Sequence, residues 1–295
     1  MEGADRMSQA EWVYLDGEYM RAQDARISPF DRGFLFAQAA YEVTAVFAGK
    51  LIDFEPHLER LSRTLAGLEI APPQQDLREL HDEMIARNGL NEGLIYLNVS
   101  AGMQGPRDYY GPEQLIPSLF AFATHKRLIA DVARDGITTI SVADTRWQRR
   151  DLKTTQLVTQ TLAYRAARRA GAFTAILHED GVVTEAASAN LWVVTADGTL
   201  VTRDLSTALL PGITRATLLS LFGEDSIKIE ERAFTLQELK DGAEAFTSST
   251  GVVIAPVLSV DGTLIGTGQP GPVTRKVQSA YYAYIGADTS QLDWL

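Results

Sequence analysis

The sequence predicts an α+β protein of two domains, and three observations carry that prediction. Short β-rich runs are punctuated by Asp-Gly and Asn-Gly turn signals along the 295 residues. Leu58, Leu61, Leu65 and Leu68 recur at three- and four-residue spacing, the period of a helix with one apolar face. Strands and helices do not alternate regularly, which disfavours a doubly wound parallel sheet. The length suits two medium domains, each large enough to bury a core.

Taken in order, the residues up to about Ala10 read as a disordered extension. Trp12 to Tyr19 alternates and turns at Asp16-Gly17, the pattern of a β-hairpin. Tyr41 to Asp53 repeats it around Gly49. The leucine-striped helix opens at Glu55-Pro56, with Pro at an early helical position. Gln74 to Asn88 predicts a second helix, closed by Gly89, and Leu94–Val99 and Leu119–Thr124 predict strands. These elements make a small N-terminal domain over residues 11–125. A polar connection over 126–134 leads to a larger, strand-rich domain over 135–286. There, strands are expected at Ile137–Val142, Thr174–His178, Leu191–Thr195, Thr199–Thr202, Ala245–Thr247 and Ile254–Val260. Helices are expected at Thr155–Ala170, Thr214–Phe222, Leu236–Asp241 and Pro272–Ile285.

Composition narrows the function. A formal net charge of -11 argues against a nucleic-acid partner, which needs a basic surface. The absence of cysteine excludes disulfides, thiolate metal sites and cysteine nucleophiles. No apolar run is long enough for a membrane span, and the N-terminus lacks the basic start and apolar stretch of a secretory signal. A cytoplasmic location is therefore the expectation. No cluster has metal-ligand spacing.

Single features in the second half are bland. Lys153 in Asp151-Leu152-Lys153 reads as a surface charge, Glu185 in EAASAN as a loop acid, and PGITR as a helix start. Their order is not bland. Together RWQRRDLKTTQL, TEAASANLWVV, LLPGITR and FTSSTGVVIAPV resemble segments of the fold type IV pyridoxal-phosphate enzymes, most closely the D-amino-acid aminotransferases. FEPHLERLSR and DRGFLFAQAAYEV extend the resemblance into the first half, so that it runs from about Trp12 to Tyr284.

The resemblance implies a two-domain fold with a small N-terminal α/β domain, a larger strand-rich C-terminal domain and pyridoxal 5'-phosphate between them. It makes Lys153 the Schiff-base residue and catalytic acid–base, and places Glu185 against the pyridine nitrogen. Ser188 and Leu210 join the cofactor-binding set. Ile213 and Thr214, with Ser249 and Thr250, become the phosphate-binding residues, and Arg60 pairs with the same phosphate. On the substrate side it implicates Tyr41, Val43, Arg107 and Tyr109. Arg107 would grip the substrate carboxylate, from a loop that in the family reaches into the neighbouring subunit, so a homodimer is implied. His57 is read as structural, tying the strand to the helix that carries Arg60.

Elementary chemistry agrees with these roles. An aldehyde cofactor is captured by an amine in its unprotonated form, which desolvation favours. The cofactor acts as an electron sink while its ring nitrogen is protonated, which a carboxylate ensures. A helix starting at Gly212-Ile213-Thr214 offers free N–H groups and a favourable dipole end to a phosphate. Arg149 and Arg150 read either as added positive potential or as a solvated face.

The pattern departs from the family where substrates are distinguished. Gln38-Ala39-Ala40 stands where a glycine-containing stretch is usual, Ala101 where an arginine is common, and Tyr109 where a histidine is common. Ala186, Ala187 and Ala189 flank Ser188 in place of glycine and further serines. The expected reaction moves an amino group from a D-alanine-like amino acid to a 2-oxo acid, through a Lys aldimine and pyridoxamine phosphate. Alternatives on the same fold are an (R)-selective amine transaminase, a branched-chain L-amino-acid aminotransferase and an aminodeoxychorismate lyase. A cofactor-storing or regulatory module without turnover is the alternative from another class.

Overall fold

A computed structural model of the chain describes residues 11–112, 114–222 and 227–295; the expected N-terminal extension lies outside them. The chain divides into two compact units. One contains the residues up to Leu128 together with Leu152–Gln156, and the other contains Ile129–Asp151 and Leu157–Leu295.

The first unit is made of β1 (Trp12–Leu15), β2 (Glu18–Arg21), α1 (Arg32–Phe36), β3 (Ala39–Phe47), β4 (Lys50–Leu51), α2 (Phe54–Gly67), α3 (Leu77–Asn88), β5 (Gly93–Ser100) and β6 (Ser118–His125). The hairpin at Asp16-Gly17 forms as its sequence requires, with φ of 49° and 105° at its two turn residues. Six strands form an antiparallel sheet in the order β2-β1-β6-β5-β3-β4. Alternation along each strand separates two faces. One face buries Ala40 and Val46 of β3, Ile95, Leu97 and Val99 of β5, and Ala121 and Ala123 of β6. Against it pack Leu61 and Leu65 of α2 and Leu80 and Met84 of α3. The other face keeps Tyr41, Val43, Tyr96 and Phe122 half-buried. Tyr41, Tyr96 and Phe122 stack in turn across β3, β5 and β6, with ring centroids 5.5 and 4.9 Å apart.

The second unit contains α4 (Asp131–Asp135), β7 (Ile137–Ala143), α5 (Val158–Arg169), β8 (Thr174–Glu179), β9 (Val182–Ala186), β10 (Asn190–Val194), β11 (Leu200–Thr202), α6 (Ile213–Leu221), β12 (Ile229–Glu231), α7 (Leu236–Lys240), β13 (Glu244–Ser249), β14 (Val253–Val260), β15 (Thr263–Leu264) and α8 (Pro272–Tyr284). Its mixed sheet runs β12-β11-β10-β13-β14-β7-β8-β9, with β15 on β14. The bridge Ala186↔Ala189 brings the β9 edge back to β10, so the sheet curls around its own core. That core holds Ile176, Val183, Leu191, Val193, Ala255 and Val257 among others. Helix α5 covers β7 and β8, while α6 and α8 lie on β13.

The fold is thus mixed α+β, with three local corrections. Residues 182–186, where no strand is expected and Glu185-Ala186 read as loop, form β9, because Val183 and Ala186 join the core of the curled sheet. The polar connection ends in a short helix, α4, anchored by the fully buried Ala133. The alanine-rich helix starts at Val158, not Thr155, because residues before it follow an extended path described below. Among the described residues no helix is long and apolar enough to cross a membrane.

Glycine is required where β5 begins. Gly93 has φ of +155°, and a Cβ there would lie 2.1 Å from the Thr124 carbonyl oxygen. Gly89, which ends α3 with φ of +57°, has nothing within 4 Å of its missing Cβ. Gly89→Ala should therefore cost about 1 kcal/mol, the strain of a left-handed residue alone. Gly93→Ala should cost about 3 kcal/mol or more, because backbone must move as well. Urea titrations of the two variants check the difference, and equal midpoints would refute it.

Candidate active site

Lys153 is held by backbone. Residues Lys153–Thr155 run antiparallel to the start of β3, on the edge that β5 does not use. The Tyr41 amide donates to the Lys153 carbonyl at 3.0 Å, and the Thr155 amide to the Ala39 carbonyl at 3.1 Å. Ala40 and Thr154 pair as a bridge. From α2, the buried Thr64 hydroxyl accepts the Lys153 amide at 3.2 Å. Leu152 packs on Gly67 so closely that a Cβ there would meet its methyl carbon at 2.7 Å. Strand and helix thus fix the backbone of Lys153 from two sides, and its Nζ lies 4.2 Å from the Tyr41 ring centroid. Val43, two residues along β3, shares the face of Tyr41.

The opposite face of β3 carries Glu42, which turns towards α2. Its carboxylate accepts from Arg60 Nε and Nη2, both at 2.8 Å, and from His57 Nδ1 at 2.7 Å. All three side chains are at most 4% exposed. Burial by itself would raise the pKa of Glu42. The Arg60 charge and the bonds from Arg60 and His57 outweigh it, and the carboxyl is held well below its ordinary range. His57 is pushed down by burial, against the pull of Glu42. A carboxylate only accepts, so the neutral ring carries its proton on Nδ1. His57 therefore joins β3 to α2, as the sequence suggested, while the Nε–Nη2 edge of Arg60 is turned to Glu42.

Arg107 and Tyr109 occupy an exposed loop. Arg107 Nη2 donates to the Tyr109 phenol at 2.8 Å and its guanidinium lies over the Phe36 ring at 5.2 Å. Beneath the loop sits Arg32, which the sequence did not single out.

In the second unit, Glu185 lies on β9 and is buried. Arg146 Nη1 donates to it at 2.5 Å, the Leu210 amide at 3.3 Å and Asn190 Nδ2 at 3.4 Å. Arg146 also binds Asp144 through Nε and Nη2, at 2.9 and 2.7 Å, and Asp144 accepts the Thr184 hydroxyl at 2.7 Å. Burial pushes the Glu185 carboxyl up, and the charge and bond of Arg146 reverse only part of that rise. Ser188 is exposed and meets Tyr164 through their hydroxyls. Arg150 is not a solvated residue: its side chain is 4% exposed, bonded to Glu179 at 2.6 Å and near Asp144 at 3.5 Å. Arg149 is exposed beside Asp151.

Ile213 and Thr214 begin α6 and are buried. Gly212, the residue before them, makes no side-chain cap, so the first N–H groups of the helix lack that partner. A Cβ on Gly212 would meet Asn190 Oδ1 at 1.9 Å, so only glycine lets the helix start pass the side chain that also reaches Glu185. Ser249 ends β13, against which α6 packs, and Thr250 follows it into the turn. Of the expected residues, each unit thus gathers its own set: Tyr41, Val43, Arg60 and Lys153 around β3, and Glu185 and Leu210 beside the start of α6. Sequence reasoning missed Thr64, Glu42, Asp144, Arg146 and Asn190 as partners. Arg146 gave a signal only as the first residue of the segment RWQRRDLKTTQL.

The depressed Glu42 carboxyl yields a pH prediction. Its stabilisation is complete above its ordinary value of 4.5 and fades as pH falls below that value towards the folded one. Glu42→Gln, which strips a buried cation of its partner, should cost about 3–5 kcal/mol at pH 7. The gap between wild type and variant should narrow as pH drops below 4.5. Denaturant titrations from pH 7 to pH 3 measure it, and a pH-independent gap would exclude the carboxylate as its source.

Comparison with known proteins places the family. The family model described as amino-transferase class IV matches residues 39–260. A D-alanine aminotransferase of Bacillus licheniformis is 32% identical over 281 residues, covering 95% of this chain and 99% of its own. A branched-chain amino acid aminotransferase of Escherichia coli, 25% identical, superposes with a TM-score of 0.83 over 94% of this chain and 95% of that one. A hypothetical aminotransferase from Mycobacterium tuberculosis in its PLP-bound form shares the fold, with 20% identity and a TM-score of 0.79 over 93% and 99% of the two chains. With more than half its length matched by one family model and its elements superposing on that family's structures, the chain belongs to the class IV aminotransferases.

Proposed function

We propose that this class IV aminotransferase uses pyridoxal 5'-phosphate to transfer the amino group of a D-alanine-like amino acid to a 2-oxo acid. The observation that carries the reading is the double hold on Lys153, whose backbone is fixed by β3 and α2 while its amine reaches over Tyr41. The D-alanine aminotransferase relative supports the choice of donor.

The residues suit the cofactor. A buried carboxylate, Glu185, fits a protonated ring nitrogen, and the uncapped start of α6 fits a phosphate dianion. When bound, the cofactor supplies an aldehyde that captures amines and a ring that draws electrons from the substrate Cα. In this reading Glu185 holds the proton at the ring nitrogen. Arg146 and the Leu210 amide keep that carboxylate in place. The amides of Ile213 and Thr214, the Thr214 hydroxyl, Ser249 and Thr250 bind phosphate oxygens, and Arg60 lends positive charge to them. Ser188 acts at the edge of the cofactor set through Tyr164. Lys153 Nζ takes the Cα proton and returns it as general base and acid. Tyr41 and Val43 form the pocket wall, and Arg107 receives the substrate carboxylate.

Two further points belong to this proposal. The exposed loop seat of Arg107, with Ala101 offering no second arginine, also favours acceptance of (R)-amines without a carboxylate. A homodimer is favoured by the exposed Phe30, Phe34, Met103, Tyr110 and Ile116, on segments that hydrogen-bond each other through Arg32 and Gly102.

Lys153→Ala should reduce transamination of D-alanine and pyruvate by at least about 100-fold, the scale of a lost general base. Borohydride reduction followed by peptide mapping should label Lys153 and nothing else; a label elsewhere removes the assignment. Glu185 makes a different prediction. Its carboxyl is raised above 4.5, so ionising it opposes folding, and that penalty grows as pH climbs past 4.5. In cofactor-free protein at pH 7.5, Glu185→Gln should keep or raise the melting temperature, while the loaded enzyme loses about 100-fold in rate. A variant that melts lower yet retains full rate would make Glu185 a structural residue.

A further inference from the structure

We infer that Arg32 is a positioning residue for substrate selection: it fixes the loop that presents Arg107 and thereby sets the strength of the grip on a substrate carboxylate. The inference rests on the proposed role of Arg107 and goes beyond it, because Arg32 itself touches no substrate.

The geometry is that of a buckle. Arg32 is buried at the start of α1. Its Nε donates to Gln38 Oε1 at 2.6 Å, and Gln38 immediately precedes β3, the strand that carries Tyr41 and Val43. In the other direction Nη1 donates to the Gln104 side-chain oxygen and to the Asp108 carbonyl at 3.0 Å, and Nη2 to the Tyr109 carbonyl at 3.2 Å. One planar guanidinium thus ties the loop on both sides of Arg107 to the entry of the substrate-side strand. Asp31 closes the buckle. Its carboxylate accepts from the Gly33 amide at 2.6 Å and the Ser100 hydroxyl at 2.7 Å, while the Arg32 amide donates to the Gly102 carbonyl at 2.9 Å. Gly111 ends the loop with φ of +65°, where a Cβ would come within 2.9 Å of Arg32 Nη1.

Charge makes the arrangement more than a brace. Among the described residues every bond from the Arg32 guanidinium ends on a neutral oxygen, and no carboxylate comes within ion-pair distance of it. Asp108 offers its carbonyl, since its carboxylate accepts the Tyr110 amide. Arg32 and Arg107 both lie over the Phe36 ring, at 4.7 and 5.2 Å from its centroid. A buried cation without a counter-ion is costly unless fully hydrogen-bonded. Here the buried Arg32 and the exposed Arg107 share one aromatic ring, while the nearby carboxylates of Asp31 and Asp108 accept from the Gly33 and Tyr110 amides and the Ser100 hydroxyl. That suits an incoming carboxylate, and a donor lacking one gains nothing from it.

The test is steady-state kinetics with D-alanine and pyruvate, using inhibition by propionate as a probe of the carboxylate alone. Arg32→Gln should raise the KM for D-alanine and the inhibition constant of propionate by about tenfold, with kcat falling less than about threefold. Arg32→Lys should not restore them, because an ammonium cannot reach Gln38 and three loop oxygens together. Gln104→Ala, which cuts only the loop side, should shift both constants in the same direction by a smaller factor, and it decides the matter if Arg32→Gln does not fold. Unchanged constants in Gln104→Ala and in any folded Arg32→Gln, beside a raised KM in Arg107→Gln, overturn the inference alone. An unchanged KM in Arg107→Gln overturns the carboxylate grip and this inference with it.

Discussion

The contact between the Glu42 carboxylate and the paired donors of Arg60 and His57 is the constraint on which the first unit depends. It fastens α2 to β3 at one point, whereas Leu61 and Leu65 of the helix meet the sheet through apolar, non-directional contacts. Apolar packing tolerates small slides, whereas a bidentate guanidinium–carboxylate pair with a third donor does not. The consequence reaches Lys153. Its amide bonds to α2 and its carbonyl to β3, so any slide of helix against strand would pull the lysine backbone in two directions. One buried ion pair sets the precision with which an amine is presented over Tyr41.

The second unit uses the same chemistry to the opposite end. Glu42 is neutralised by two partners of its own and lies below its ordinary pKa. Glu185 must share Arg146 with Asp144, and burial leaves it above its ordinary pKa. A carboxylate under-served by its surroundings costs stability, but it is ready to take a further cationic partner. A protonated ring nitrogen is such a partner, which is why the contrast between the two glutamates supports a structural part for one and a functional part for the other.

Much of this was legible in the sequence, and what was not has physical reasons. The hairpin at Asp16-Gly17, the leucine stripe of α2 and the cap at Gly89 are local signals, and local geometry answered them. Strand β9 was hidden because Thr184-Glu185 places polar residues inside a strand whose burial comes from curling of the whole sheet. The late start of α5 was hidden too, since Lys153–Thr155 has helix-compatible residues and is drawn out by pairing with β3. Partners were the least legible. Glu42 and His57 are fifteen residues apart in different elements, and Arg146 and Glu185 thirty-nine apart. Spacing within one element says nothing about either pair.

Arg60, Arg146 and Arg32 separate by how their charge is balanced. Arg60 faces a carboxylate of its own, and Arg146 faces two. Among the described residues Arg32 faces none, and its donors end on amide and carbonyl oxygens. Hydrogen bonds to neutral oxygens satisfy the geometry of a guanidinium without cancelling its field, so the charge remains available at a distance. A rigid loop at this place needs only neutral side chains; a guanidinium whose donors end on neutral oxygens fits an anion that completes the arrangement from outside.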